Sequence, residues 1–144
     1  MKVSVEDKAL IFSHFPKLRK SKHKFTSPID YRYNCIAWSV GDNTRYWWPD
    51  NSLYWPDELP IDDSLNSFIQ MYSSLGFRLT ELIPEIGVDA VAIYGIGETV
   101  KHAARRLSAT GQWTSKLGSQ FDIEHTLNAI ESKEYGDLLA LMSR

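Results

Sequence analysis

The sequence predicts one α+β domain, in which N-terminal helices pack on a small antiparallel sheet. Apolar residues recur at three- and four-residue spacing in the first half of the chain, whereas short apolar runs separated by turn residues dominate the second half. Helices first and strands later is the order typical of α+β domains. The 144 residues suit a single domain over 1–144, and we place its core at about residues 30–142.

The helices are predicted from apolar spacing and from capping residues. Four are expected, over residues 4–13, 35–40, 62–75 and 122–131, and Ser4 is the expected cap of the first. Asn34 is a suitable N-cap, which puts Cys35 at the first helical position. Asp62 and Asp122 are the expected caps of the two later helices. The last helix depends on the spacing of its apolar residues, which are Ile123, Leu127 and Ile130.

The strands are predicted at residues 77–80, 89–94, 100–107 and 112–117, and residues 138–142 form either a strand or a short helix. If the loop 108–111 joins two of these strands as a hairpin, His102 and Ser115 become diagonal neighbours on one face of the sheet. A slip of one residue would bring Thr114 and Lys116 to that face instead.

Composition excludes several classes of protein. A net charge of -2 and a pI of about 6.1 make nucleic acid an unlikely partner. One cysteine excludes a disulfide framework, and no apolar run is long enough for a membrane helix. The N-terminus lacks the pattern of a signal peptide, which predicts a cytoplasmic location. The basic segment, residues 17–24, is either a solvated loop or a phosphate-binding patch.

Cys35 is the candidate nucleophile. A thiol in the first turn of a helix is stabilised as thiolate by the helix dipole, which predicts a lowered pKa. The alternative is a buried cysteine that packs as a small apolar residue. His102 is the candidate base, and Ser115 or His125 would orient its ring. No ligand pair has a short chelating spacing, so neither a metal nor a cofactor is expected.

Four blocks of the sequence resemble those of an uncharacterised bacterial domain family over roughly residues 30–140. The blocks read YNCIAW from Tyr33, HAAR from His102, WTSKLG from Trp113 and DIEH from Asp122. More distantly, the order of Cys35 and His102 resembles papain-like thiol hydrolases, especially the compact NlpC-like branch. That resemblance implies a papain-like or NlpC-like fold, with the cysteine at a helix start, the histidine on a strand and a polar residue, here Ser115, on the next strand.

The leading functional expectation is a small cytoplasmic thiol hydrolase or acyltransferase. Cys35 would attack an amide, ester or thioester of an unknown substrate, with a protein or peptide among the candidates, and His102 would transfer the proton. The candidate substrate-binding residues are Asn34, Trp47, Trp48, Trp55, Lys116 and His125.

Two other functions remain open. One is a non-enzymatic protein-interaction module that uses the Trp/Tyr-rich loop 45–56, hereafter the aromatic loop. The other, disfavoured by the net negative charge, is nucleic-acid contact through the basic segment with Arg105, Arg106 and Lys116.

Overall fold

The fold is a mixed α/β arrangement built on one large antiparallel sheet. The computed structural model describes residues 2–117 and 120–144. In this part of the chain the helices are α1 (Val5–His14), α2 (Pro16–Arg19), α3 (Cys35–Ser39) and α4 (Leu65–Ser74). The strands are β1 (His23–Ser27), β2 (Arg78–Thr80), β3 (Ala90–Ile96), β4 (Thr99–Arg106), β5 (Trp113–Lys116), β6 (Asp122–His125) and β7 (Asp137–Ser143).

The sheet has seven strands among the described residues, in the order β1-β6-β5-β4-β3-β7-β2. Every neighbouring pair is antiparallel, so β1 and β2 are the two edges. The sheet is larger than the small one expected from the sequence. The difference comes from β1 and β6, which were not expected as strands, because each has only four or five residues and so leaves a weak periodic signal.

Both faces of the sheet are covered, each by its own apolar core. We call the side that packs against α3, α4 and the aromatic loop face one. The other side, face two, packs against α1, α2 and the segment 127–135. Successive residues of a strand point to opposite faces, and both faces are apolar in the central strand β3, where Val91 and Ile93 belong to face one and Ala92 and Tyr94 to face two.

The capping predictions for the first two helices are confirmed. The Ser4 side chain accepts from the Asp7 N–H at the start of α1, and the Asn34 side chain accepts from the Ala37 N–H at the start of α3. In α4 the N-cap is Ser64, not Asp62. Asp62 instead accepts hydrogen bonds from the Ser64 N–H and the Ser67 hydroxyl, which braces the same turn from outside the helix.

The helix predicted over residues 122–131 is wrong. Asp122–His125 form β6, which is paired on both sides by β1 and β5. Phe121 and Ile123 are both buried on face two, so the chain follows a two-residue alternation here. Leu127 and Ile130, which completed the helical spacing, lie in the turns after the strand.

The basic segment does not form one loop. Its first residues belong to α2, which ends at Arg19. Its last residues belong to edge strand β1, which begins at His23. Residues 138–142, which were expected to form either a strand or a short helix, lie within strand β7. Within the described residues, no helix has the length and apolar character needed to cross a bilayer.

Candidate functional site

Helix α3 is fixed on face one by hydrogen bonds from its N-cap residue to the aromatic loop and from Trp38 to the sheet. The Asn34 side chain accepts from the Ala37 N–H and the Trp47 N–H, at 3.1 Å each, and donates to the Trp47 carbonyl at 2.8 Å. The Trp38 indole N–H donates to the Thr114 hydroxyl on β5 at 3.0 Å. Asn34 therefore joins the aromatic loop to the helix through both its amide oxygen and its amide nitrogen. Its expected role in substrate binding stays a prediction.

Cys35 is buried against the sheet, with 6% of its surface exposed. It packs among face-one residues that include Ala103 and Tyr72. Burial raises the pKa of the thiol to about 11, against smaller opposing effects of the backbone N–H groups nearby. The predicted lowering of this pKa is wrong, because desolvation outweighs the first turn of a five-residue helix. Cys35 is a neutral thiol at physiological pH.

His102 lies on the opposite face of the sheet from Cys35. Ala103, the next residue of β4, belongs to the face-one core with Cys35, so the side chain of His102 points to face two. There the imidazole stacks on Tyr135, with ring centroids 4.0 Å apart and planes at 5°. The predicted contact between Cys35 and His102 is therefore wrong, and a thiol hydrolase at this pair has no geometric support.

The predicted neighbour of His102 is correctly placed. Arg105 pairs with Thr114 and Arg106 with Trp113, which is the register expected for the 108–111 loop. Ser115 thus lies diagonally from His102 on face two, and its hydroxyl is 2.9 Å from His102 Nε2. Neither side chain is exposed to solvent.

His125 extends this contact into a buried chain of hydrogen bonds. Its Nδ1 is 2.7 Å from the Thr126 carbonyl oxygen, which can only accept, so Nδ1 carries the proton. Its Nε2, 2.7 Å from the Ser115 hydroxyl, then accepts from Ser115. The Ser115 oxygen in turn accepts from the Nε2–H of His102.

One end of this chain is unsatisfied. When Nε2 of His102 carries the proton, Nδ1 has a bare lone pair, and no described residue donates to it. Burial lowers the pKa of His102 well below its ordinary value, with His125 adding to the effect, and burial lowers the pKa of His125 to about 4. Both rings are neutral at pH 7, and the chain is a set of directed neutral hydrogen bonds.

The remaining candidate residues serve the face-one core. Trp47 and Trp55 are buried there, and Trp48 packs edge-on against Phe68 at 5.3 Å. The ammonium of Lys116 is buried above the Tyr33 ring, 4.6 Å from its centroid, and donates to the Gln120 carbonyl. The nine candidate residues therefore divide between two faces. Face one holds Asn34, Cys35, Trp47, Trp48, Trp55 and Lys116, and face two holds His102, Ser115 and His125.

The aromatic loop is held rigid by a residue that sequence reasoning missed. Asp42 accepts hydrogen bonds from the Thr44 N–H and hydroxyl, from Arg45 Nε and from the Trp47 indole N–H, at 2.6–3.0 Å. An aspartate two residues before a hydroxyl residue is the available signal, because that spacing closes a side-chain-to-backbone turn. The same spacing recurs at Asp50 and Ser52 in the tip of the loop.

A family model matches residues 24–143. The chain belongs to this family, a domain of unknown function (DUF7689). The match spans β1 to β7 and confirms membership of an uncharacterised domain family. Neither a curated protein nor a solved structure matches the chain. The resemblance to papain-like hydrolases is thus not shown for this DUF7689 domain.

Across residues 2–117 and 120–144, no three His, Cys, Asp or Glu side chains are grouped so as to hold a metal ion. The described side chains of the DUF7689 domain include a buried neutral thiol on one face and a buried histidine–serine–histidine chain on the other.

Cys35 in the folded DUF7689 domain should resist alkylation. We expect iodoacetamide to modify it at least about a hundredfold more slowly than in urea, because the thiol is buried and protonated. Mass spectrometry over a time course measures the rate. His102→Gln should leave the native rate unchanged under conditions where the variant remains folded, since the imidazole lies across the sheet. A native rate close to the denatured rate would contradict this placement.

Proposed function

We propose that this domain is a protein-interaction module that contacts its partner through the aromatic loop. The observation that carries the proposal is the arrangement of Arg45 and Tyr54. The Arg45 guanidinium lies 3.5 Å from the centroid of the Tyr54 ring, in a loop where Trp47 and Trp55 are buried and Trp48 is half-buried. Arginine and aromatic residues are the types that dominate binding energy at protein interfaces.

The loop is built before any partner arrives. Trp48 N–H donates to the Tyr54 carbonyl at 3.0 Å, and Trp47 forms a bridge with Tyr54 and packs on its ring at 4.7 Å. At the C-terminal end of the loop, Trp55 packs against Phe68 of α4, with ring centroids 5.1 Å apart. A loop already held in one conformation loses little conformational entropy on binding. A loop that is held in place by packed aromatic side chains is therefore suited to binding a partner protein.

The exposed groups indicate the chemistry of the partner. Leu53 is 41% exposed beside Tyr54. Arg45 uses Nε to bind Asp42, and its two terminal nitrogens donate to no described residue. A partner surface that is apolar and carries a carboxylate would match both features of the loop. The carboxylate can accept hydrogen bonds from the guanidinium, and leucine and tyrosine bury exposed apolar area against the apolar surface.

The proposal is tested with two substitutions in the aromatic loop and one control substitution outside it. Leu53→Asp and Arg45→Gln should each weaken the binding of an identified and purified partner by about tenfold or more, because each removes part of one contact surface. Ile61→Asp is the control, since Ile61 is 55% exposed but lies outside the aromatic loop. Partners are first isolated with the wild-type domain from cells that express it, and affinities are then measured by calorimetry with purified components.

Two results would overturn the proposal. One is a partner whose affinity is the same for the wild type, Leu53→Asp and Arg45→Gln. The other is the failure of the domain, as bait at micromolar concentration, to retain any partner that binds again after purification.

A further inference from the structure

The loop that joins β2 to β3 carries an exposed apolar surface. We call residues 81–88 the β2–β3 loop. Its large apolar side chains, Leu82, Ile83 and Ile86, are 63–79% exposed. Large apolar side chains that stand together at a surface mark a place of contact with another molecule, whereas single ones need no explanation.

The β2–β3 loop is held in place by a buried arginine. Arg106 of β4 donates hydrogen bonds to three carbonyls of the loop, those of Pro84, Glu85 and Val88. The Gly87 N–H donates to the Ser108 carbonyl at 2.7 Å. The exposed apolar side chains therefore extend from a backbone that is tied to the sheet, and little conformational entropy is lost when they are covered.

The β2–β3 loop is also acidic. Glu81 and Glu85 are exposed, and neither forms an ion pair with any described residue. The loop contains no Lys, Arg or His, so these two carboxylates are its charged side chains. A surface that covers the loop should therefore be both apolar and positively charged.

A surface of this kind lies elsewhere on the same chain, along helix α1. A cavity of about 440 Å³, hereafter the α1 groove, is lined by Val5, Lys8, Ala9, Phe12, Ser13 and Arg19. The five residues from α1 recur at the three- and four-residue spacing of one helix face, away from the buried Ile11. The groove is therefore an uncovered face of α1, which is completed by one residue of α2.

The α1 groove has a positive charge. Lys8 and Arg19 are exposed and form no ion pair with any described residue, and the Lys8 ammonium lies 6.0 Å from the centroid of the Phe25 ring. No described carboxylate lines the groove. No residue of the β2–β3 loop lines it either, so the two complementary surfaces do not meet within one chain.

We propose that the α1 groove binds the β2–β3 loop of a second copy of this chain. The apolar side chains of the loop are buried against Val5 and Phe12, and the two carboxylates of the loop face Lys8 and Arg19. Different surfaces of the two copies meet, so each pair keeps a free loop and a free groove, and association continues head to tail. The contact is small, and a dissociation constant on the order of 100 μM is expected.

Sedimentation velocity of the full chain measures this association. Between about 10 μM and about 1 mM, the weight-average sedimentation coefficient of the wild type should rise with concentration. Leu82→Gln combined with Ile83→Gln should weaken association about tenfold or more, because polar groups replace buried apolar ones. Leu53→Gln is the matched control. Leu53 is an exposed leucine of the aromatic loop, outside both surfaces, so this variant should associate as the wild type does.

Charge reversal distinguishes a second copy from any other occupant. Glu81→Lys combined with Glu85→Lys makes the loop as well as the groove positive, and Lys8→Glu combined with Arg19→Glu makes both negative. Each double variant alone should remain monomeric at concentrations where the wild type associates. An equimolar mixture of the two should associate about as strongly as the wild type, because every loop then meets a groove of opposite charge on the other variant. The replaced side chains are all exposed, so both variants should keep the circular dichroism spectrum of the wild type.

Three outcomes would overturn the proposal. The first is a wild type that remains monomeric at about 1 mM. If that monomer binds phosphatidylcholine vesicles and the Leu82→Gln, Ile83→Gln variant does not, the loop contacts a membrane instead. The second is equal weakening of association by Leu53→Gln and by the loop variant. The third is a mixture of the two charge variants that remains monomeric where the wild type associates, which would place the contact elsewhere on the chain.

Discussion

Replacing Gly136 by alanine should lower the free energy of unfolding by about 3 kcal/mol or more. Gly136 has a φ of +71°, a conformation that residues with a Cβ rarely adopt. A Cβ atom there would also overlap the backbone carbonyl of Gly95 in β3. Since a backbone group on a central strand cannot move aside without breaking sheet hydrogen bonds, strain and overlap both add to the cost.

Gly97→Ala separates these two effects. Gly97 also has a positive φ, of +61°, but a Cβ at this position meets nothing within 4 Å. Its replacement should therefore cost about 1 kcal/mol, from backbone strain alone. Urea unfolding of the two variants and the wild type measures the difference. Equal destabilisation by the two substitutions would show that Gly136 does not approach β3 as closely as described.

The close approach of Gly136 to β3 also positions Tyr135. The turn from Ser132 to Gly136 is closed by two backbone hydrogen bonds between these residues. Tyr135, one residue before the glycine, stacks on His102. The glycine thus lets the turn lie low enough on face two for a tyrosine to cover the buried histidine.

Local features of the fold were predictable from the sequence. The caps Ser4 and Asn34 bind backbone N–H groups within their own first turns, so no distant contact is needed to choose them. The β4–β5 register follows from a four-residue loop that ends at Gly111, whose φ is +74°. This register placed Ser115 beside His102 correctly because both depend on one hairpin.

The relation of Cys35 to His102 was not predictable in the same way. In β4, Ala103 and Ala104 are both fully buried, one on each face, so the apolar pattern does not say which face receives α3. That choice is made by tertiary contacts such as the Trp38–Thr114 hydrogen bond. The order of residues along the chain is compatible with either face, and only one of them would have brought the thiol to the imidazole.

Strand β6 shows a second limit of prediction from sequence patterns. Residues 121–131 contain both a two-residue and a helical apolar spacing, and four residues are too few for either to dominate. Pairing with β5 and β1 on both sides selects the strand. His125 consequently points to face two toward Ser115, and the chain of hydrogen bonds could not be foreseen from a helix.

The domain should lose stability between about pH 6.5 and pH 4. The folded state holds His125 with a pKa of about 4 and His102 with a pKa well below 6.5, both mainly through burial. Unfolding restores ordinary pKa values, so the unfolded state binds more protons throughout this interval. Stability is therefore complete above pH 6.5 and falls as the pH approaches 4, by about 3 kcal/mol for His125 alone.

The loss of stability in this pH interval comes from the histidines and not from the carboxylates with lowered pKa. The Arg32 guanidinium beside Asp30, for example, lowers the pKa of that carboxyl to about 2, so its contribution is lost only below about pH 4. A protonated His125 loses its acceptor nitrogen and places an unpaired charge beside Ser115. A proton on Nδ1 of His102 finds no acceptor among the described residues.

Urea unfolding at pH 7.5, 6, 5 and 4.5 measures this dependence. His125→Gln and His102→Gln should each be less stable than the wild type at pH 7.5, because buried partners are left unpaired, but should show a shallower decline toward pH 4.5. His14→Gln is the control, since His14 is exposed and binds Glu134 at the surface, and it should retain the full decline. A decline of unchanged size in both buried-histidine variants would mean that the His102–Ser115–His125 chain is not its source.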